Sequence, residues 1–292
     1  MADPESTDYR FQDKERKPRS LSSAPEVRSL QRPEGAVAYE VAGEGPLVVC
    51  VPGMGDLRSS YRYLRPALVA AGHRVAVTDL RGHGDSDASF AQYGDAATAD
   101  DIAALVGVLG GPAVIVGNSM AAGSAVLVAA QHPELVAGLV LVGPFVRDPK
   151  SSAVKRLMMR VVLAAPWVAA SWKSYLPKLY AGTRPPDFDD YRSSVAAAMK
   201  RPGHAKAFSI TARTSHAAAE QALGRVHAPT LVVMGELDPD FPDPAGEARW
   251  IADQLHGEVV LIPDAAHYPQ SQRPELVSSA IEQFLDRVGG DA

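Results

Sequence analysis

From about residue 35 onward, short unbroken runs of apolar, largely β-branched residues recur between longer amphipathic stretches. The runs Val37–Val41, Leu47–Val51, Val75–Asp79, Ala113–Gly117, Leu139–Gly143, Thr230–Met234 and Glu258–Ile262 predict strands. Most do not alternate in polarity, the pattern of strands covered on both faces. Helical periodicity falls between them, at Ser60–Ala71, Thr98–Leu109, Ala121–Gln131, Pro244–Leu255 and Pro274–Val288. Strand and helix in alternation predict an α/β fold with a doubly wound, mostly parallel sheet. The alternation lapses over residues 145–225, which are Ala-rich and broken by Pro166-Trp167, Trp172 and Pro177. That stretch is too long for a plain loop and predicts an inserted helical cap. The expected core is therefore residues 34–144 and 226–292. Residues 1–33, with four prolines and dense charge, offer too little apolar surface to offset their ordering entropy, and predict a flexible tail.

Composition narrows the function classes. The chain has 292 residues, 46% hydrophobic and 22% charged, as in ordinary globular proteins. Its net charge of -5 and lack of a basic stripe argue against a nucleic-acid partner. One cysteine, Cys50, excludes an intrachain disulfide framework and a cysteine-based metal cluster. No apolar run reaches the roughly 18 residues of a membrane span, and the charged amino terminus lacks a signal-peptide core. The expectation is a cytoplasmic protein with a small-molecule substrate and no membrane partner. No His/Asp/Glu group has metal-ligand spacing and no phosphate loop or dinucleotide fingerprint follows a strand, so the reaction is expected to need neither metal nor cofactor.

The sharpest chemical signal is Val114-Ile-Val-Gly117-Asn-Ser119-Met-Ala-Ala-Gly123, an apolar strand running directly into Gly-x-Ser-x-small and then an apolar helix. A serine can simply cap a helix. Between a buried strand and a buried helix, however, the tight turn holds Ser119 strained and projecting above the sheet. The Met120 amide then becomes a donor for a developing oxyanion.

At these residues the chain resembles the α/β-hydrolase superfamily, over roughly residues 35–288. Asp79-Leu-Arg-Gly-His-Gly-Asp-Ser86 is similar to that superfamily's loop after its fourth strand, and His83 within it reads as structural. A serine hydroxyl needs a base within reach. Of eight histidines, His267 lies just past the last predicted strand, at the sheet edge where open α/β sheets bind ligands. It also resembles the superfamily's final histidine motif, with Pro274-Glu275 following. The acid is expected after Thr230–Met234, where Asp238 matches the superfamily's Gly-x-x-Asp pattern. Glu236, Asp240 and Asp243 in the same loop are rivals. Ser, acid, His is the chain order of this fold. The resemblance further implies that the Met54 amide, in Val51-Pro52-Gly53-Met54-Gly55-Asp56, pairs with the Met120 amide. Relatives usually carry His at the position of Pro52.

The implied activity is that of a serine hydrolase cleaving a small or medium carboxylic ester, lactone or thioester through an acyl-enzyme. The same residues would serve a carbon–carbon bond hydrolase, a branch in which Asn often precedes the serine as Asn118 does here. They would equally serve another triad-based acyl transfer or cyclisation, or a receptor that keeps the pocket without turnover. Gly53, Trp167, Trp172, Tyr175, Phe208 and Tyr268 are the candidate pocket residues, although the cap aromatics could instead only pack cap helices together.

Overall fold

The computed structural model describes residues 26–149, 157–158 and 161–290. Eight strands form one sheet in the order β1-β2-β4-β3-β5-β6-β7-β8. They are β1 (Arg28–Arg32), β2 (Gly35–Ala42), β3 (Leu47–Val51), β4 (Arg74–Thr78), β5 (Ala113–Asn118), β6 (Val136–Val142), β7 (Thr230–Gly235) and β8 (Glu258–Ile262). From β4 through β8 every neighbouring pair is parallel, while β1 and β2 are antiparallel to their neighbours. The crossovers carry α1 (Leu64–Ala70), α2 (Asp95–Leu109), α3 (Met120–Gln131) and α8 (Pro244–Leu255); the short α9 (Pro269–Gln272) follows β8, and α10 (Pro274–Gly290) closes the chain.

The unbroken apolar runs follow from burial on both faces. In β3 and β5, Val49, Val51 and Ile115 point to one side, and Val48, Cys50, Val114 and Val116 to the other, because successive side chains alternate across a strand. The first face is sealed by α2, α3 and α8 through Leu105, Val126 and Ile251. The second is sealed by α1 and α10 through Leu64, Leu68, Val277, Ile281 and Phe284. Cys50 is a free, fully buried thiol that packs as a small apolar group.

Two expectations need correction. Residues 28–33 do not belong to a tail: β1 pairs with β2 across the two-residue turn Pro33-Glu34. Only Leu30 of its five residues is buried, so the strand carries too little apolar signal to be seen in sequence. Residues 1–25, with the Lys14–Lys17 charge run, lie outside the described residues. The helix expected over Ser60–Ala71 divides into a 3₁₀ turn, Arg58–Tyr61, and α1 from Leu64. Pro66 has no N–H to give to a preceding turn and is tolerated only in a helix's first turn.

Between β6 and β7 lie α4 (Val168–Leu179), α5 (Phe188–Met199), α6 (His204–Thr211) and α7 (Ala217–Ala222); residues 150–156 of this insert are outside the described set. α4, α5 and α6 have their own apolar cluster, built on Trp172, Leu176, Tyr180, Phe188, Tyr191 and Phe208 and joined by Tyr268 from the core. Ion pairs tie the insert down: Arg62 donates to both carboxylate oxygens of Asp187, at 2.6 and 2.5 Å, and Arg201 meets Asp85 at 2.8 Å. Among the described residues no helix is long and apolar enough to cross a membrane.

β1 should matter to stability despite its length. Leu30→Ala is expected to cost about 2 kcal/mol, read as a lowered urea midpoint. A chain starting at residue 34 should lose at least as much.

Candidate active site

Ser119 occupies the residue between β5 and α3 with φ 58° and ψ -124°, a conformation that L-residues rarely adopt. Its backbone is held on both sides: its N–H donates to Val142 O at 2.9 Å, and its carbonyl accepts from Ala122 and Phe145 at 3.0 and 3.2 Å. The turn leaves no room for larger neighbours. A Cβ on Gly117 would lie 2.5 Å from Ala121 O. A Cβ on Gly53, in the loop after β3, would lie 2.7 Å from the Ser119 Cβ. The Gly53–Met54 loop therefore lies directly against the serine. Met120 opens α3, so its amide belongs to the first turn, whose N–H groups have no intrahelical acceptor.

The loop after β8 brings His267 to the same edge of the sheet, only 2% exposed. Its Nδ1–H donates to Asp238 Oδ2 at 2.7 Å. Asp238 follows β7, is 2% exposed, and takes the Asp240 N–H on its other oxygen at 3.0 Å. The rival carboxylates separate clearly. Glu236 is exposed, and Asp243 caps α8 by accepting the Gly246 N–H at 2.9 Å. Asp240 comes nearer, with Oδ2 at 3.9 Å from His267 Nδ1, but its Oδ1 holds the Tyr175 hydroxyl at 2.7 Å. Asp238, Asp240 and His267 each offer a ligand atom within 4.8 Å of the others. A carboxylate–imidazole hydrogen bond produces the same closeness without a cation.

Burial alone would depress the His267 imidazole, but the Asp238 carboxylate beside it outweighs this and the ring is pushed up to about 9. Asp56, buried at the end of the Gly53–Met54 loop, has its carboxyl pushed up to about 7 by burial, against the opposing pull of the Leu57 N–H that its Oδ1 accepts.

Several contributors had no signal of their own in the sequence. The role of Asn118 was one of them: it donates from Nδ2 to Val142 O at 3.0 Å and to His267 O at 3.2 Å, stapling the serine turn to the histidine loop. Gly143, at φ +50°, lets β6 end against the pair, since a Cβ there would sit 3.2 Å from His267 Nδ1 and 3.4 Å from Asp238 Oδ2. Phe145 stands edge-on to His267 at 5.9 Å and stacks on His216 at 5.7 Å. His216 in turn pairs with buried Asp95 at 2.8 Å, a second Asp–His contact. His83 is buried with Nδ1 on Arg81 O at 2.9 Å, and burial pulls its ring down to about 4.

The pocket candidates divide. Trp172, Tyr175 and Phe208 form one aromatic group, with Trp172 centred 5.8 Å from Tyr175 and 5.1 Å from Phe208. Tyr268 is buried edge-on to His267 at 5.1 Å and stacked on Tyr180. Trp167 does not join them. It is 49% exposed at the start of α4, and its Nε1–H donates to Val161 O at 2.8 Å. A cavity of about 380 Å³ elsewhere, lined by Arg58, Arg62, Arg65 and Arg201, contains none of these residues. Its arginines are paired with Glu40, Asp79, Asp85 and Asp187, an ion-pair network joining insert to core.

A sequence profile of the alpha/beta hydrolase family matches residues 48–280. The chain belongs to that family. It is 30% identical over 250 residues to a pimeloyl-[acyl-carrier protein] methyl ester esterase of Neisseria meningitidis, covering 82% of this chain and 94% of the relative. It is 29% identical over 254 residues to a 2-(acetamidomethylene)succinate hydrolase of Mesorhizobium japonicum, covering 84% and 89%. Among solved structures, a thermophilic esterase from Thermogutta terrifontis superposes with a TM-score of 0.78 at 28% identity, covering 90% of this chain and 99% of the other. These relatives make the chain a hydrolytic enzyme of the alpha/beta hydrolase fold.

The folded His267 value lies above its ordinary 6.5, so pairing with Asp238 stabilises the fold fully below about pH 6.5 and loses that contribution as pH rises through about 9. The difference in melting temperature between wild type and Asp238→Asn should therefore be large at pH 6 and shrink toward pH 10. A pH-independent difference would contradict a charged imidazole. Gly53→Ala should leave the fold intact but push the Met54 loop off Ser119, which is seen as a fall in kcat.

Proposed function

We propose that the enzyme is a serine hydrolase that cleaves a small or medium carboxylic ester, lactone or thioester, with Ser119 as nucleophile, His267 as base and Asp238 as the acid that orients it. The observation that carries this reading is the buried 2.7 Å Asp238–His267 hydrogen bond, tied through Asn118 to a serine held at positive φ. Asp238 fixes Nδ1 as the protonated nitrogen, which leaves Nε2 as the basic one.

In the neutral form of His267, Nε2 takes the Ser119 proton as Oγ attacks the substrate carbonyl carbon. The resulting oxyanion receives hydrogen bonds from the Met54 and Met120 amides, each of which is worth about 3 kcal/mol of barrier. Collapse breaks the bond to the leaving oxygen or sulfur, which takes the proton from His267 Nε2. The acyl group now rests on Ser119 as an ester. Water, deprotonated by His267, attacks it, and the carboxylic acid and free serine return. The pimeloyl methyl ester esterase and the Thermogutta esterase, named for ester cleavage, support this class of substrate. The insert, packed over the Met54 loop through its apolar cluster, serves as a cap.

A fluorophosphonate probe followed by intact mass should give one adduct on wild type and none on Ser119→Ala, with labelling of His267→Ala slowed by orders of magnitude. Absence of an adduct on folded wild type would overturn the reading. Because only neutral His267 can accept the proton, kcat/KM should climb with pH toward about 9 rather than levelling near 7. Asp238→Asn should cut kcat by about 10⁴-fold and lower that midpoint.

A further inference from the structure

We propose that α4 of the insert sets the geometry of the reacting groups, with Trp172 and Tyr175 as positioning residues and not as substrate lining. The proposal rests on the serine-hydrolase reading above. Trp172 and Tyr175 are three residues apart and so lie on one face of α4. A pocket-lining role would leave their polar ends for a ligand, but both are engaged by catalytic loops.

The Trp172 Nε1–H donates to Gly55 O at 2.7 Å in a buried contact. Gly55, at φ +75°, is gripped so closely that a Cβ would lie 2.6 Å from Trp172 Cε2 and 2.5 Å from Phe208 Cε2. This anchors the Gly55–Asp56 peptide, two peptide units along the same tight loop from the Met54 N–H, the proposed oxyanion donor. The Tyr175 hydroxyl donates to Asp240 Oδ1 at 2.7 Å, fixing the one nearby carboxylate that competes with Asp238 for His267. One turn further, Leu179 O accepts the His267 N–H at 3.0 Å.

One helix thus bonds to the loops after β3, β7 and β8, which bring the oxyanion donor, the acid and the base. From Trp172 to Leu179 is about 10 Å along the axis, and a helix keeps that spacing far better than three independent loops could. Reacting groups must be held to within about 0.5 Å, so a rigid element spanning all three loops acts on the rate itself.

The test compares Trp172→Phe and Tyr175→Phe with wild type on a short-chain and a medium-chain ester, following kcat, KM, the pH–rate midpoint and melting temperature. Trp172→Phe should lower kcat by about 10- to 100-fold, the scale of a small misplacement, with KM within about twofold and the same loss on both esters. Replacing Trp172 by 3-benzothienylalanine, which keeps the ring and lacks the N–H, should reproduce the loss in a protein whose packing is undisturbed. Tyr175→Phe should release Asp240 toward Nδ1, raise the pH–rate midpoint and reduce activity at pH 7. Adding Asp240→Asn to Tyr175→Phe should bring the midpoint back. A KM that rises with acyl length while kcat holds would assign these rings to the pocket and overturn the proposal, as would wild-type kcat and midpoint in both variants. Failure of the underlying reading would look different, because wild type itself would take no fluorophosphonate adduct.

Discussion

Ser119 is held in a backbone conformation that costs on the order of 1–3 kcal/mol, and much around it exists to hold it there. Strain of that size persists only where the surroundings over-determine it. Here they do so from every side: the Ser119 N–H on β6, its carbonyl on α3 and on Phe145, and the Asn118 amide reaching both Val142 and His267. A missing side chain is required where the turn meets the start of α3 and the loop after β3, which accounts for Gly117 and Gly53 together. Two fully buried apolar faces then keep the strand and helix from relaxing apart.

The second constraint is electrostatic. Asp238 and His267 are nearly inaccessible to water, where an unpaired charge would be costly. They are tolerable because each compensates the other and the Asp240 N–H satisfies the remaining carboxylate oxygen. Burial by itself would lower the imidazole, and it is the Asp238 carboxylate that outweighs this penalty and pushes the ring to about 9. A base raised that far is strong but mostly protonated near neutrality, so its basicity is gained at the expense of the fraction of molecules ready to react.

How much of this was legible follows from where the physical signal resides. The central strands were plain because burial on both faces removes polar positions, and Leu47–Val51, Thr230–Gly235 and Glu258–Ile262 all fall within a residue of their expected limits. β1 was invisible because an edge strand with one buried side chain is held by ladder hydrogen bonds, to which sequence is nearly blind. The resemblance singled out Asp238 among four carboxylates of one loop as the expected acid, while composition and spacing left the other three as rivals. Local contacts separate them, one exposed, one capping a helix and one held by Tyr175. Gly143 and Phe145 looked like any loop residues, since their relation to His267 arises only when β6 and the β8 loop meet.

The insert shows the limit most clearly. Trp167, Trp172 and Tyr175 are alike in sequence: amphipathic rings in an apolar, helical stretch. Hydrophobicity sorts them no further, because all three could pack a cap or line a pocket. What separates them is the partner of one polar atom each. Trp167 bonds a carbonyl six residues back in its own segment, so it reports only on local chain geometry. Trp172 and Tyr175 bond backbone and carboxylate oxygens of the core more than 60 residues away in sequence. A buried ring whose N–H or O–H is satisfied across an interface gives that interface one register, since sliding by a fraction of a turn would strand the polar group. Apolar packing alone tolerates such sliding. On the proposal above, the loops after β3 and β7 take their register on α4 from these two hydrogen bonds, and the loop after β8 takes it from the His267 N–H on Leu179 O, rather than from the larger apolar area around them.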